Sequence, residues 1–248
     1  LNTALVDAGG QTNAYTLTIT DTSLISLTAL NALDTKTSVA INASGVGTIS
    51  ETYANLNTAY GSSGISGLGS AVVTITDTQS ATNVNTILGK TTNVVTATIT
   101  ADTAANLVTN TANAASTDAL TMTANGATAA ATALNTLDGR TNVVVSVTAT
   151  AVTGTYAELT TVYTTNAANY SNLGDENISI SDTQSASNVN TIANKTSGVV
   201  TATVTGDTAA NLVTNLNYAT STDNLTLTVT GTSATAANLT SLDGKTAG

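Results

Sequence analysis

Two hydrophobic rhythms alternate along this chain. In one, Val95, Ala97 and Ile99 fall on one side and Thr96, Thr98 and Thr100 on the other. The same parity returns with Leu225, Leu227 and Val229 against Thr226, Thr228 and Thr230. A period of two predicts strands with one aliphatic face and one hydroxyl face. Such stretches are centred near Leu17, Val39, Thr74, Thr98, Met122, Val145, Ile178, Ala202 and Leu227. Between them the apolar positions take helical spacing: Leu27 and Leu30; Val84, Ile87 and Leu88; Leu134 and Leu137; Tyr156, Leu159 and Tyr163. Asp, Thr or Ser stands at each expected helix start, where a side-chain oxygen caps free N–H groups. Gly139 and Gly244 stand at expected helix ends.

The rhythm is a repeat. Asp77-Thr78-Gln79-Ser80-Ala81 recurs 105 residues later as Asp182-Thr183-Gln184-Ser185-Ala186, and Leu137-Asp138-Gly139-Arg140-Thr141 recurs as Leu242-Asp243-Gly244-Lys245-Thr246. An earlier copy reads Leu33-Asp34-Thr35-Lys36-Thr37. Inside this 105-residue super-repeat the strand centres are mostly about 24 residues apart, a solenoid period. Two longer steps, from Ser44 to Ser70 and from Thr153 to Asn177, carry Tyr and Gly/Ser/Asn-rich segments, which predict a longer helix and a protruding loop. The expected fold class is therefore α/β: a parallel-strand solenoid of about nine strand–helix units, right-handed, with its strands in one sheet. Residues 1–248 are expected to form a single array, a segment of a longer chain or of a filament. Leu1-Asn2-Thr3 looks like the tail of a helix and the chain stops after Gly248 where a strand is due. One copy then supplies what the next lacks, and other copies or flanking repeats are the expected partners.

Composition narrows the chemistry. Of 248 residues, 41% are hydrophobic, 8% are charged and 18 are Gly; there is no His, Cys, Pro, Trp or Phe. The remainder, about 44%, is Ser, Thr, Asn and Gln, far above ordinary usage. The β-branched alternation and the absence of Pro separate the chain from disordered polar sequences. Without His or Cys there is no common zinc site, no Cys nucleophile and no Ser-His-Asp triad. Five Lys/Arg against fifteen Asp/Glu, a net charge of −10, leave no basic footprint for nucleic acid. No apolar run approaches the ~20 residues of a membrane-spanning helix, so no membrane insertion is expected. No catalytic residue and no cofactor are expected, and the chain is read as non-enzymatic. All five basic residues, Lys36, Lys90, Arg140, Lys195 and Lys245, follow an expected helix end and precede Thr. A cation there satisfies terminal carbonyls and the helix dipole.

Three stretches resemble the repeats of giant secreted and cell-surface proteins of marine picocyanobacteria: Ala14-Tyr15-Thr16-Leu17-Thr18-Ile19-Thr20-Asp21-Thr22-Ser23, Leu30 to Thr37, and Ala59 to Leu68. The resemblance implies an extracellular or cell-surface location and a structural role as coat, S-layer, filament or adhesin stalk. Such proteins often carry calcium-binding nonapeptides. Here Gly9-Gly10 is followed by Gln11-Thr12-Asn13 rather than Gly-x-Asp, so calcium is not carried over.

Three surface features are candidates for interaction. The first is the hydroxyl face, with T-x-T pairs at Thr74/Thr76, Thr96/Thr98, Thr121/Thr123, Thr201/Thr203 and Thr226/Thr228. Stacked on a flat sheet these would present a regular array to ice or glycan, the alternative to a structural role; Thr is equally at home on any solvent-facing strand. The second is the set of tyrosines in the long steps, Tyr53, Tyr60, Tyr156, Tyr163 and Tyr170, as loop contacts to an external ligand the sequence does not identify. The third is Asp21, Asp77, Asp102, Asp182 and Asp207, which read as helix N-caps, with a stacked cation site as the alternative. Asp175-Glu176, the one acidic doublet, reads as a solvated loop.

Overall fold

The structure is a computed structural model describing residue 5 and residues 13–23 and 26–247. The expected helix tail at Leu1–Thr3 and the Gly9-Gly10 pair lie outside these residues. Nine α-helices are present among them: α1 Leu27–Asp34, α2 Tyr53–Gly61, α3 Ala81–Leu88, α4 Ala104–Asn110, α5 Ala131–Asp138, α6 Tyr156–Thr160, α7 Ala186–Ala193, α8 Ala209–Asn215 and α9 Ala236–Asp243. The strands are β1 Ile41–Asn42, β2 Thr48–Glu51, β3 Ile65–Ser66, β4 Val72–Ile75, β5 Val95–Thr98, β6 Asp102–Thr103, β7 Ala119–Thr121, β8 Thr123–Asn125, β9 Ala129–Ala130, β10 Val145–Val147, β11 Ala151–Gly154, β12 Tyr170–Ser171, β13 Asn177–Ile180, β14 Val200–Thr203 and β15 Asn224–Thr226. Helices of this length are marginal in isolation. They persist because Leu27, Leu30, Leu107, Leu134, Leu137 and Leu212 are buried.

The super-repeat is visible element by element. β4, β5 and β7 begin 105 residues before β13, β14 and β15; α3, α4 and α5 begin 105 residues before α7, α8 and α9. The helices therefore follow a cycle of four. α1, α5 and α9 hold its first position, α2 and α6 its second, α3 and α7 its third, α4 and α8 its fourth.

Contacts divide the chain into two compact units, interleaved in sequence. Unit 1 comprises Leu1–Thr100, Thr109–Met122 and Gly139–Val143; unit 2 comprises Ala101–Val108, Thr123–Asp138 and Val144–Gly248. Unit 1 holds a sheet ordered β2-β4-β5-β7 and the pair β1-β3; unit 2 holds sheets ordered β9-β11-β13-β14-β15 and β6-β8-β10-β12. Every pair of strands among the described residues is parallel, and partners lie 23 or 24 residues apart in Thr48↔Val72, Thr96↔Ala119 and Thr201↔Asn224. Among the described residues no sheet closes into a barrel.

Four sheets replace the one expected. The alternation Leu120, Met122, Ala124 is buried throughout, yet β7 and β8 on either side of Met122 belong to different sheets. The inward and outward alternation is the same on both sides of Met122, so the pattern carries no mark of the change of sheet. The long steps do carry longer helices: α2 has nine residues, and α6 runs on as a π-helix over Thr161–Thr165. They do not carry protruding loops. After α2 the chain forms β3 on β1, and after the π-helix it forms β12 on β10. Ile65, Leu68 and Tyr170 are buried there, because apolar residues among the Gly and Ser return each segment to the core.

Candidate functional site

Hydrogen bonds from one coil to the next organise the recurring polar residues, and the basic-Thr pair is the clearest case. The Thr141 hydroxyl is buried; it accepts from Leu120 N at 2.9 Å and Val143 N at 3.1 Å and sits 2.9 Å from the Leu120 carbonyl oxygen. Thr37 does the same to Tyr15, and Thr246 to Leu225. Thr91 and Thr196 donate to the carbonyls of Ala71 and Glu176, each at 2.6 Å. Lys36, Arg140 and Lys245, which precede three of these Thr, bond to residues 29 or 31 positions earlier as well. Lys245 Nζ donates at 2.6 Å to the carbonyl of Leu216, the C-cap of α8, and Lys36 Nζ donates to Leu5 O at 2.8 Å. Arg140 reaches Thr111, the position equivalent to Leu216. At Lys245 the expected cation at a helix end is thus present, but it serves the end of the preceding helix, α8. The C-terminal glycines are not left-handed either: φ is −76° at Gly89 and −73° at Gly244.

The corner acids are corrected in the same sense. Helix N-caps are Ser26, Ser80, Thr155, Ser185, Thr208 and Thr235, not Asp. Asp77 accepts from Tyr53 N and Asp182 from Tyr156 N, both at 2.8 Å, so each caps the first N–H of the helix in the preceding coil. Glu51 serves Leu27 of α1 likewise. Asp102 and Asp207 stay local, accepting from the next backbone N–H and from Asn106 and Asn211. Asp21 is exposed. Among the described residues no three acidic side chains converge as a metal site would require.

The hydroxyl face is broken up. Thr76, Thr96, Thr98, Thr121, Thr203, Thr226 and Thr228 are exposed, whereas Thr74, Thr123 and Thr201 are half-buried. Across the sheets the rows read Ser50, Thr74, Thr96, Ala119 and Thr153, Ser179, Thr201, Asn224. Thr98 faces Thr121, Thr203 faces Thr226, and Thr123 belongs to another sheet beside Ser146. The paired rows hold runs of at most two Thr.

Tyrosines expected on loops lie elsewhere. Tyr53 and Tyr156 open α2 and α6, and Tyr60 lies in the last turn of α2. Tyr163 and Tyr170 are buried and therefore unavailable as loop contacts. Tyr163, on the π-helical turn, donates a short hydrogen bond to Glu176 Oε1. Glu176 Oε2 accepts from Gly174 N at 2.8 Å and Asp175 N at 3.3 Å. Glu176 is buried and not the solvated half of an acidic doublet. Tyr170 donates to Asn135 Oδ1 at 3.3 Å, and Asn172, between Tyr170 and Glu176 in sequence, has φ of 60°.

This cluster is a modified copy of one in the first super-repeat. There Tyr60 donates to the Leu68 carbonyl at 3.2 Å, Gly67 takes the left-handed position with φ of 89°, and Ala71 stands where Glu176 is. π-turns and left-handed non-Gly residues are frequent at functional sites. Cavities of about 320 and 240 Å³ flank the Glu176 loop, the smaller one bordered by Tyr163, Tyr170 and Lys195. Burial pushes the Tyr163 hydroxyl far up, and the Glu176 carboxylate adds to the shift. Burial and the Asp138 carboxylate push Tyr170 up; burial alone takes Tyr60 to about 12. These phenols are neutral donors at physiological pH and far from the range useful for acid–base work. The arrangement locks a loop.

Sequence reasoning missed the buried acids Asp118, Asp223 and Glu176. Asp118 Oδ1 accepts from Val95 N and Oδ2 from Ala115 N; Asp223 does the same for Val200 and Thr220. The signal was present: Ser-Thr-Asp precedes β7 and recurs 105 residues later before β15. No known protein family, curated protein or solved structure matches this chain. No helix among the described residues is long and apolar enough to cross a membrane.

Proposed function

We propose that the chain is a structural repeat segment of an extracellular or cell-surface protein, its coils stacked as a parallel-strand solenoid and continued by further repeat coils in a coat, filament or stalk. One observation carries this reading. The recurring polar residues that would otherwise suggest chemistry, namely the basic-Thr pairs, Asp77, Asp182, Asp118 and Asp223, are engaged in holding one coil to the next at separations of 20 to 29 residues. A charged fraction of 8% and a chain without His or Cys agree with a non-enzymatic role. The likeness of Ala14–Ser23, Leu30–Thr37 and Ala59–Leu68 to picocyanobacterial surface repeats supports the location.

The test is an antibody raised against the chain and applied to intact cells that produce it. Label on unpermeabilised cells, removed by mechanical shearing of the surface, is the expected result. Label that appears only after permeabilisation overturns the reading.

A further inference from the structure

Helices at the first position of the cycle share a sequence but not a burial. Leu30 in α1 is 4% exposed and Leu134 in α5 is 0% exposed; Leu239, at the same place in α9, is 48% exposed. Ala124 is wholly buried, while Val229, 105 residues on, is 40% exposed. Both buried examples are covered by a second-position helix: α1 packs against α2, and α5 against α6 and its π-turn. The polar contacts of that packing repeat as well. Asn31 and Asn135 donate from the first-position helix to the Asn55 and Glu158 carbonyls of the second, at 3.2 Å in each case. Asp34 accepts from Ser62, and Asp138 from Asn166. In α9 the equivalent acid, Asp243, is exposed, and β15 is the edge strand of its sheet. An exposed apolar face beside the edge of a sheet is a template for another strand–helix unit.

We infer that the surface formed by β15, Val229, Leu239 and Asp243 is a docking face for a coil of the second position, the tyrosine-bearing type that contains α2 and α6. The inference rests on the stacked-coil reading above and adds the identity of the unit that is accepted. A third- or fourth-position coil lacks the Ser62 or Asn166 donor for the acid.

Two extended proteins test this. One is residues 1–247 followed by a second copy of residues 143–181, which carries α6; the other is residues 1–247 followed by a second copy of residues 172–198, which carries α7. Amide hydrogen exchange is read in β15 and α9. The α6-type extension is expected to slow exchange there by about tenfold or more, and the α7-type extension to leave it unchanged. Leu239→Asn is expected to be neutral in the 248-residue chain and to shift the unfolding equilibrium by about tenfold or more in the α6-type extension. Equal protection by both extensions overturns the choice of coil while leaving stacking intact. Protection by neither overturns stacking too. Concentration-dependent protection of α9 in the unextended chain names a second copy as the occupant and overturns the proposal.

Discussion

The hydroxyl of Thr141 illustrates how single residues hold this protein. It replaces a strand rung, answering the N–H of Leu120 from 21 residues further on, at a buried position. Thr141→Val keeps the shape and removes the hydroxyl, leaving a buried backbone N–H without a partner, a loss of about 1–3 kcal/mol. Thr98→Val, on an exposed strand face, is expected to change stability by less than about 0.5 kcal/mol. Urea unfolding of the two variants checks the contrast. The buried phenols set the alkaline limit. Above pH 10, the ordinary tyrosine value, unfolded chains lose phenolic protons that Tyr60, Tyr163 and Tyr170 keep when folded. The native state then binds more protons, so stability that is fully present below pH 10 is lost as pH rises from 10 through about 12 for Tyr60, and further up for Tyr163 and Tyr170. The urea midpoint and phenolate absorbance should move together across that window.

At the scale of elements, helices are capped by neighbours. Asp77→Ala removes the acceptor for the first N–H of α2, a helix whose own N-cap, Thr52, makes no side-chain cap bond. A cost of about 1 kcal/mol is expected. Hydrogen exchange should quicken in α2, the preceding coil, rather than in α3, which follows Asp77 in sequence and keeps Ser80. A second element-level prediction comes from comparing super-repeats. Asn31 Oδ1 is buried without a partner, whereas its counterpart in Asn135 accepts from Tyr170. Ile65 occupies the place of Tyr170 in the first super-repeat. Ile65→Tyr is expected to supply the missing donor and raise stability by about 1 kcal/mol. A thermal midpoint below that of the parent would show that β3 lacks room for the ring.

For the whole molecule, the stacked-coil proposal makes a metric prediction. A protein of residues 1–247 followed by a second copy of residues 143–247 contains one additional cycle of four coils. At a strand spacing of about 4.8 Å its maximum dimension should grow by about 19 Å with an unchanged cross-section. Small-angle scattering of the two proteins measures both quantities. Growth in the cross-section would mean that the coils do not stack along one axis.

The period, the helices and the inward-facing residues were legible in the amino-acid sequence alone. Val84, Ile87, Leu134 and Leu137 are buried, as their spacing implied, because helical and strand periodicities are local and each residue reports its own side. The 105-residue recurrence matches the starts of β13, β14, β15, α7, α8 and α9 to those of β4, β5, β7, α3, α4 and α5. What tertiary structure decided is which coil each polar group serves. Asp77 precedes α3 but caps α2; Lys245 follows α9 but serves the end of α8; Glu176 reads as part of an acidic doublet but is buried under Tyr163. A hydrogen bond depends on distance in space. In a chain whose neighbours in a sheet lie 22 to 26 residues apart, the partner nearest in sequence is seldom the partner nearest in space.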